Sequence, residues 1–155
     1  GDQSVNTALL QVVPVTQEDY SQWYTYWLGY QNFYKVILTE EITQTTWQRF
    51  FDDSEPVFCA VAKKGEQVLG FVHYVFTARP GHRTIIVILE DLYVSPDCRG
   101  QHIGKSLIEY VQQQAKTQHA TRLYWHTQEN NLTAQKLYNW VAEKSEMIQY
   151  RMPIH

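Results

Sequence analysis

The sequence predicts a mixed α/β domain, and three observations carry that reading. Apolar and aromatic residues recur at helical spacing over the first third of the chain, then give way to strand-like runs. The most β-branched stretch, TIIVILEDLYV over 84–94, leads into a glycine-bearing loop and a helical pattern. Strand and helix patterns then alternate to the end, which gives the order βααβββαβαβ. At 155 residues, 44% hydrophobic and 14% aromatic, the chain is long enough for one domain with its own core. No repeat, low-complexity tract or Pro/Ser-rich linker divides it, so 1–155 is read as a single domain.

A first strand is expected over 8–13, ending before Pro14. Thr16 with Asp19 offers an N-cap, and Trp23, Trp27, Tyr30 and Tyr34 follow at i, i+4, i+7 and i+11, the spacing of one helical face. That aromatic stripe reads either as core packing or as a wall around a ligand channel; packing is preferred, because buried aromatics usually only pack. A second helix at 40–51 carries Ile42, Trp47 and Phe50. Segments 56–62 and 67–76, rich in Val, Phe and Tyr, flank Lys63-Lys64-Gly65-Glu66 as a hairpin. Arg79-Pro80-Gly81-His82 turns the chain into the central strand at 84–94. A helix over 103–115 gathers Ile103, Leu107, Ile108, Val111 and Ala115 on one face. A strand at 122–127, a helix at 131–142 and a last strand at 146–152 complete the order.

Thirteen Lys+Arg stand against 16 Asp+Glu, a net charge of −3 with no dense basic stripe. Nucleic acid is therefore not an expected partner, since binding it requires neutralising many phosphates. No apolar run approaches the length of a membrane span, and the opening GDQSVNTALL lacks the basic and long apolar regions of a secretory signal. No membrane partner and a cytoplasmic location are the expectation. Cys59 and Cys98 are the only cysteines, too few and too far apart for a zinc site or a disulfide framework. Both are read as free thiols, and no metal is expected.

Arg99-Gly100-Gln101-His102-Ile103-Gly104-Lys105 lies between the strongest strand and a helix start. The opening N–H groups and positive dipole end of a helix attract anions, and glycines let the backbone approach a phosphate closely. A pyrophosphate suits this loop, with Arg99 and Lys105 as its charged contacts. A nucleoside-triphosphate loop needs four residues between its glycines before Lys-Ser/Thr. Gly100 and Gly104 are separated by only three before Lys105-Ser106, so that reading is set aside.

From 89 to 104, LEDLYVSPDCRGQHIG resembles motif A of the GCN5-related N-acetyltransferase (GNAT) family, an Arg/Gln-x-x-Gly-x-Gly/Ala fingerprint after a β-strand. Asn131-Leu-Thr-Ala134-Gln-Lys-Leu137-Tyr138 is similar to the family's Asn-x-x-Ala-x-x-x-Tyr helix. Within the family the Leu-Glu-Asp-Leu-Tyr-Val strand looks most like the polyamine (diamine) and histone-and-polyamine acetyltransferase branch. Two positions depart from the pattern. The middle glycine of the fingerprint falls on His102, whose side chain either crowds the pyrophosphate or donates a hydrogen bond to it, and Ala142-Glu143 stands where many members have Gly-Phe.

The resemblance implies a GNAT fold, a central mixed and mostly antiparallel sheet flanked by helices. It implies transfer of the acetyl group of acetyl-CoA to a primary amine in a ternary complex, the amine being a polyamine or other cationic small molecule. Backbone groups of Leu92, Tyr93 and Val94 would pair with the pantetheine arm like an added strand, with an N–H near Tyr93 holding the oxyanion. Arg99, Gly100, Gln101, His102, Ile103, Gly104 and Lys105 would hold the pyrophosphate, and Asn131 is counted with the cofactor contacts. Tyr138 would protonate the departing thiolate, as a phenol with a reference pKa of about 10 can. Glu90 is the candidate general base, with His126 and Glu129 as substitutes. Asp91 and Trp27 are the candidate contacts of a cationic acceptor. Glu90 and Asp91 are adjacent in a strand, so their side chains are expected on opposite faces and no paired-carboxylate site is expected. A homodimer is the expected assembly. The rival readings are a protein-lysine or aminoglycoside acetyltransferase and, from another class, a non-catalytic acyl-CoA-binding domain.

Overall fold

The β-rich segments assemble into one sheet whose two faces are covered by apolar side chains. The computed structural model describes residues 9–78, 81, 84–98, 102–126 and 148–151. Strands β1 (Leu10–Pro14), β2 (Val57–Lys64), β3 (Gln67–Ala78), β4 (Ile85–Val94), β5 (Arg122–His126) and β6 (Ile148–Arg151) lie side by side in chain order. β1 to β4 pair antiparallel, whereas β5 and β6 join in parallel. The helices are α1 (Tyr20–Phe33), α2 (Glu40–Arg49) and α3 (Ile103–Thr117). The mixed, mostly antiparallel sheet flanked by helices is thus the observed architecture. The helix expected at 131–142 lies outside the described residues.

A parallel neighbour requires a crossover, and α3 provides it between β4 and β5. Its Leu107, Ile108, Val111 and Ala115 are fully buried against Val72, Val87 and Leu89 of the sheet. The opposite face carries α1 and α2, where Trp23, Trp27 and Trp47 pack on Val61, Phe71 and Tyr93. The capping pair of the first helix acts one turn earlier than expected. Thr16 N–H donates to Asp19 Oδ2 at 2.9 Å and closes a short 3-10 turn over Gln17–Asp19, so α1 itself begins at Tyr20. Lys63 Nζ meets the other oxygen of this buried carboxylate at 2.7 Å, tying the turn to β2.

The alternation along β4 is broken at one residue. Val87 and Leu89 face α3, and strict alternation would send Asp91 and Tyr93 there as well. Instead Leu92 and Val94 pack on the α3 side, while Tyr93 packs on the α1 side. The β3–β4 register explains the switch, since it passes from Tyr74↔Leu89 to His73↔Asp91 and makes Glu90 the extra residue of a β-bulge. Glu90, one step after Leu89 in regular phase, leaves the strand on the α1 side. Asp91 leaves on that side too, bonded to Tyr30 of α1. The two acids therefore share a face, which corrects the opposite-face expectation.

Candidate active site

Asp91 ends a chain of hydrogen bonds that starts in the core. Trp23 Nε1–H donates to His73 Nε2 at 3.0 Å. An indole only donates, so Nε2 must carry a lone pair and the imidazole proton sits on Nδ1. That Nδ1–H donates to Asp91 Oδ2 at 2.9 Å, and the Tyr30 hydroxyl donates to Asp91 Oδ1 at 2.5 Å. Burial pushes the Asp91 carboxyl up. The hydrogen bonds donated by the imidazole and by the Tyr30 hydroxyl hold the group below the usual carboxylate range nonetheless. His73 is buried among Phe71, Phe50 and Trp27 at ring distances of 4.5, 4.8 and 5.1 Å, whereas the Asp91 side chain keeps 22% of its surface open.

The aromatic stripe of α1 turns out to be a graded stack. Trp27 lies between Trp23 at 5.7 Å and Tyr30 at 5.4 Å with nearly parallel planes, and its Nε1–H donates to Thr43 Oγ1 at 3.1 Å. At 4% exposure, with both faces covered, Trp27 has no face left for a cationic acceptor, and it is a core residue. The stripe reaches the surface at Tyr30, half-buried and beside Tyr34 at 4.8 Å. His73 was not among the site residues read from sequence, where Tyr30 figured only as part of the aromatic stripe. His73 did leave a signal, as a polar residue inside the apolar run LGFVHYVF, but its partner is 18 residues away across the sheet.

At the end of β4 the chain passes through a 3-10 turn at Pro96–Cys98 and enters α3. His102 opens the helix with φ 62° and ψ 21° and lies exposed. This left-handed conformation is the reason the fingerprint carries glycine at this position, since a side chain there is strained. The first intrahelical bond runs from Ser106 N–H to His102 O at 3.1 Å, so Ile103 and Gly104 form the helix start facing the loop. Ile103 itself is buried beneath that start. Lys105 is half-buried in the first turn. The β4–β5 register runs from Ile86↔Arg122 to Leu89↔Trp125, and Leu92, Tyr93 and Val94 lie past its last pair. Gly70 packs under this segment, where a Cβ would come within 2.7 Å of Tyr93 O. Arg99, Gly100, Gln101, Glu129, Asn131 and Tyr138 lie outside the described residues, and His126 is the last residue of β5.

A cavity of about 460 Å³ is lined from both layers, by Tyr74, Phe76 and Tyr110 of the α3 side and by Val15, Phe50 and Cys59 of the α1–α2 side. Asp91 is not among the residues that line it. Among the described residues, no group of three or more His, Cys, Asp or Glu is placed to hold a metal ion, and no helix is long and apolar enough to cross a membrane.

A strand with a bulge, leading into a helix start shaped for an anion, is the arrangement of an acyl-CoA-dependent transferase. The profile of the Acetyltransferase (GNAT) family matches residues 16–140, and the chain belongs to that family. It is 32% identical over 142 residues to the D-amino-acid N-acetyltransferase HPA3 of Saccharomyces cerevisiae, a match covering 90% of this chain and 88% of that one. With this relative the match makes the chain an acetyl-CoA-dependent N-acetyltransferase. Among solved structures, a probable acetyltransferase superposes with a TM-score of 0.76 at 25% identity, covering 94% of this chain and 98% of that one. The aminoglycoside N-acetyltransferase AAC(6')-Iy, in complex with CoA, shares the fold at a TM-score of 0.70 and 15% identity, covering 96% and 93%.

Proposed function

We propose that the chain acetylates the primary amine of a small cationic molecule, a polyamine or diamine, by direct attack on acetyl-CoA in a ternary complex. The observation that carries this reading is the β4 bulge, which turns Glu90 and Asp91 to one face beside Tyr30. Two acids at one spot attract an ammonium group, and the aromatic edge beside them adds cation–π attraction. An alkylammonium has a pKa of about 10.4 and must lose a proton before it attacks. In this reading the exposed Glu90 takes that proton, directly or through a water, while Asp91 stays ionised and holds the amine.

The α3 start, with Arg99, Gly100, Gln101, His102, Ile103, Gly104 and Lys105, receives the pyrophosphate in this reading. The segment Leu92–Val94 runs beside the pantetheine arm, with Asn131 completing the cofactor contacts. The new N–C bond forms as the C–S bond breaks. A backbone N–H near Tyr93 stabilises the oxyanion, and Tyr138 gives its proton to the leaving sulfur. A second reading, the α-amine of an amino acid, is favoured by the 32% identity to a D-amino-acid N-acetyltransferase. Steady-state thiol release from acetyl-CoA with spermidine, short diamines, D-amino acids, a lysine peptide and an aminoglycoside separates these acceptors. The highest kcat/KM is expected for a diamine or polyamine. Turnover of D-amino acids with none of any diamine would replace the first reading by the second, and no turnover with any amine would leave the non-catalytic reading.

A further inference from the structure

The buried polar chain behind Asp91 is more than packing requires. His73 occupies a site walled by Phe50, Phe71, Trp23 and Trp27, where an apolar side chain of similar volume would avoid the cost of burying an imidazole. The imidazole is nevertheless fully satisfied, by Trp23 on one nitrogen and Asp91 on the other. Every proton in the chain points toward the carboxylate. Trp23 donates to His73, His73 donates to Asp91 Oδ2, and Tyr30 donates to Asp91 Oδ1. Because the indole gives up no proton at ordinary pH, a proton arriving at Asp91 has no route inward. The chain therefore holds a charge and conducts nothing.

We propose that His73 and Tyr30 are positioning residues that aim Asp91 at the ammonium group of the acceptor, with Trp23 locking His73 in its Nδ1–H tautomer. This rests on the reading of the acceptor as a cation. Each oxygen of Asp91 spends one acceptor site on the support and keeps another for the ligand, in a side chain that is partly open. The device also divides the labour of the adjacent acids. Asp91, clamped by two donors, binds the amine, and the proton is left to Glu90 on the outer side of the bulge.

The test combines three variants with one measurement on the unaltered protein. His73→Met keeps the volume and removes both hydrogen bonds, His73→Asn offers an amide donor toward Asp91, and Tyr30→Phe removes the second donor. His73→Met should raise the acceptor KM about tenfold or more, the scale of a lost hydrogen bond to a charged group, and leave the acetyl-CoA KM within about twofold. His73→Asn should recover most of that loss, and Tyr30→Phe should raise the acceptor KM by a smaller factor. Diamine affinity in the presence of CoA, measured by calorimetry, should follow the same order without turnover. Long-range proton–nitrogen NMR of the unaltered protein should find His73 protonated at Nδ1 only, with that resonance shifting as diamine is added. If the unaltered protein binds diamine and His73→Met binds it equally well, the positioning role is wrong while the acceptor class stands. A proton found on Nε2 would also overturn the role. If no diamine or polyamine binds to the unaltered protein, the cationic acceptor is wrong, and the positioning role goes with it.

Discussion

The two faces of the sheet are built from different chemistry. On the α3 side, Leu107, Ile108, Val111, Val72, Val87 and Leu89 form an aliphatic layer. On the α1–α2 side, indole, phenol and imidazole rings join Val61, Val68 and Phe71, and hydrogen bonds run from Trp27 to Thr43 and from Trp23 through His73 to Asp91. An aliphatic layer gains stability in proportion to the area it buries and tolerates a change of shape poorly. A hydrogen-bonded aromatic layer is costlier to build, since every buried donor needs its acceptor, but it orients charge. Strands β2, β3 and β4 serve both layers, and in β4 a bulge shifts the alternation between them.

Four experiments press on this contrast. The largest effect is expected for Leu107→Ala, which leaves a cavity in the aliphatic layer and should cost about 2–5 kcal/mol of stability in denaturant unfolding. The acceptor KM of the molecules that stay folded should be unchanged; a raised KM would mean that the faces are not independent. Tyr138→Phe should lower kcat by roughly ten- to a thousandfold with little change in acetyl-CoA KM, as expected of a group that acts only as the thiolate leaves. Unchanged kcat with a substrate for which chemistry limits the rate would make Tyr138 a packing residue.

Asp91→Asn sharpens the comparison through pH. The folded pKa of Asp91 is depressed, so the stability it contributes is fully present above the unfolded value of about 3.9 and is lost as pH falls through the lower folded value. The stability gap between the unaltered protein and the variant should therefore be widest near neutral pH and close under strong acid, as read by unfolding at several pH values. A gap independent of pH would deny the clamp. The smallest effect belongs to His102→Gly. Relief of a left-handed side-chain conformation should raise stability by about 1 kcal/mol, and calorimetry of CoA binding then decides whether the imidazole helps or crowds the pyrophosphate.

The element order was legible because the hydrophobic period changes cleanly, from the i, i+4, i+7 stripe of Trp23, Trp27 and Tyr30 to the β-branched run at 84–94. The start of α1 was misplaced by a turn, because the same Thr16–Asp19 pair caps a 3-10 turn as readily as an α-helix. The facing of Glu90 and Asp91 was not legible at all. A bulge is a relation between two strands, and nothing in LEDLY alone says that β3 will skip a residue there. The role of Trp27 was misread for a related reason: helical spacing identifies a stripe but not which end of it opens to solvent. His102 was half legible, since the fingerprint marks its position for glycine while only the backbone angle says why.

The bulge also sets a rule for recombining this chain with its relatives. Residues before Glu90 in β4 are written in one inside–outside phase and those after it in the other, so the strand behaves like a text with a one-letter frame change. Two parental sequences joined across β3 and β4 keep Asp91 on its native face only if β3 adds no residue opposite Glu90. A junction that supplies such a partner would send Asp91 and Tyr93 into the aliphatic layer and turn Leu92 and Val94 out toward α1, whereas loss of Glu90 would only remove the bulge and leave their facing unchanged.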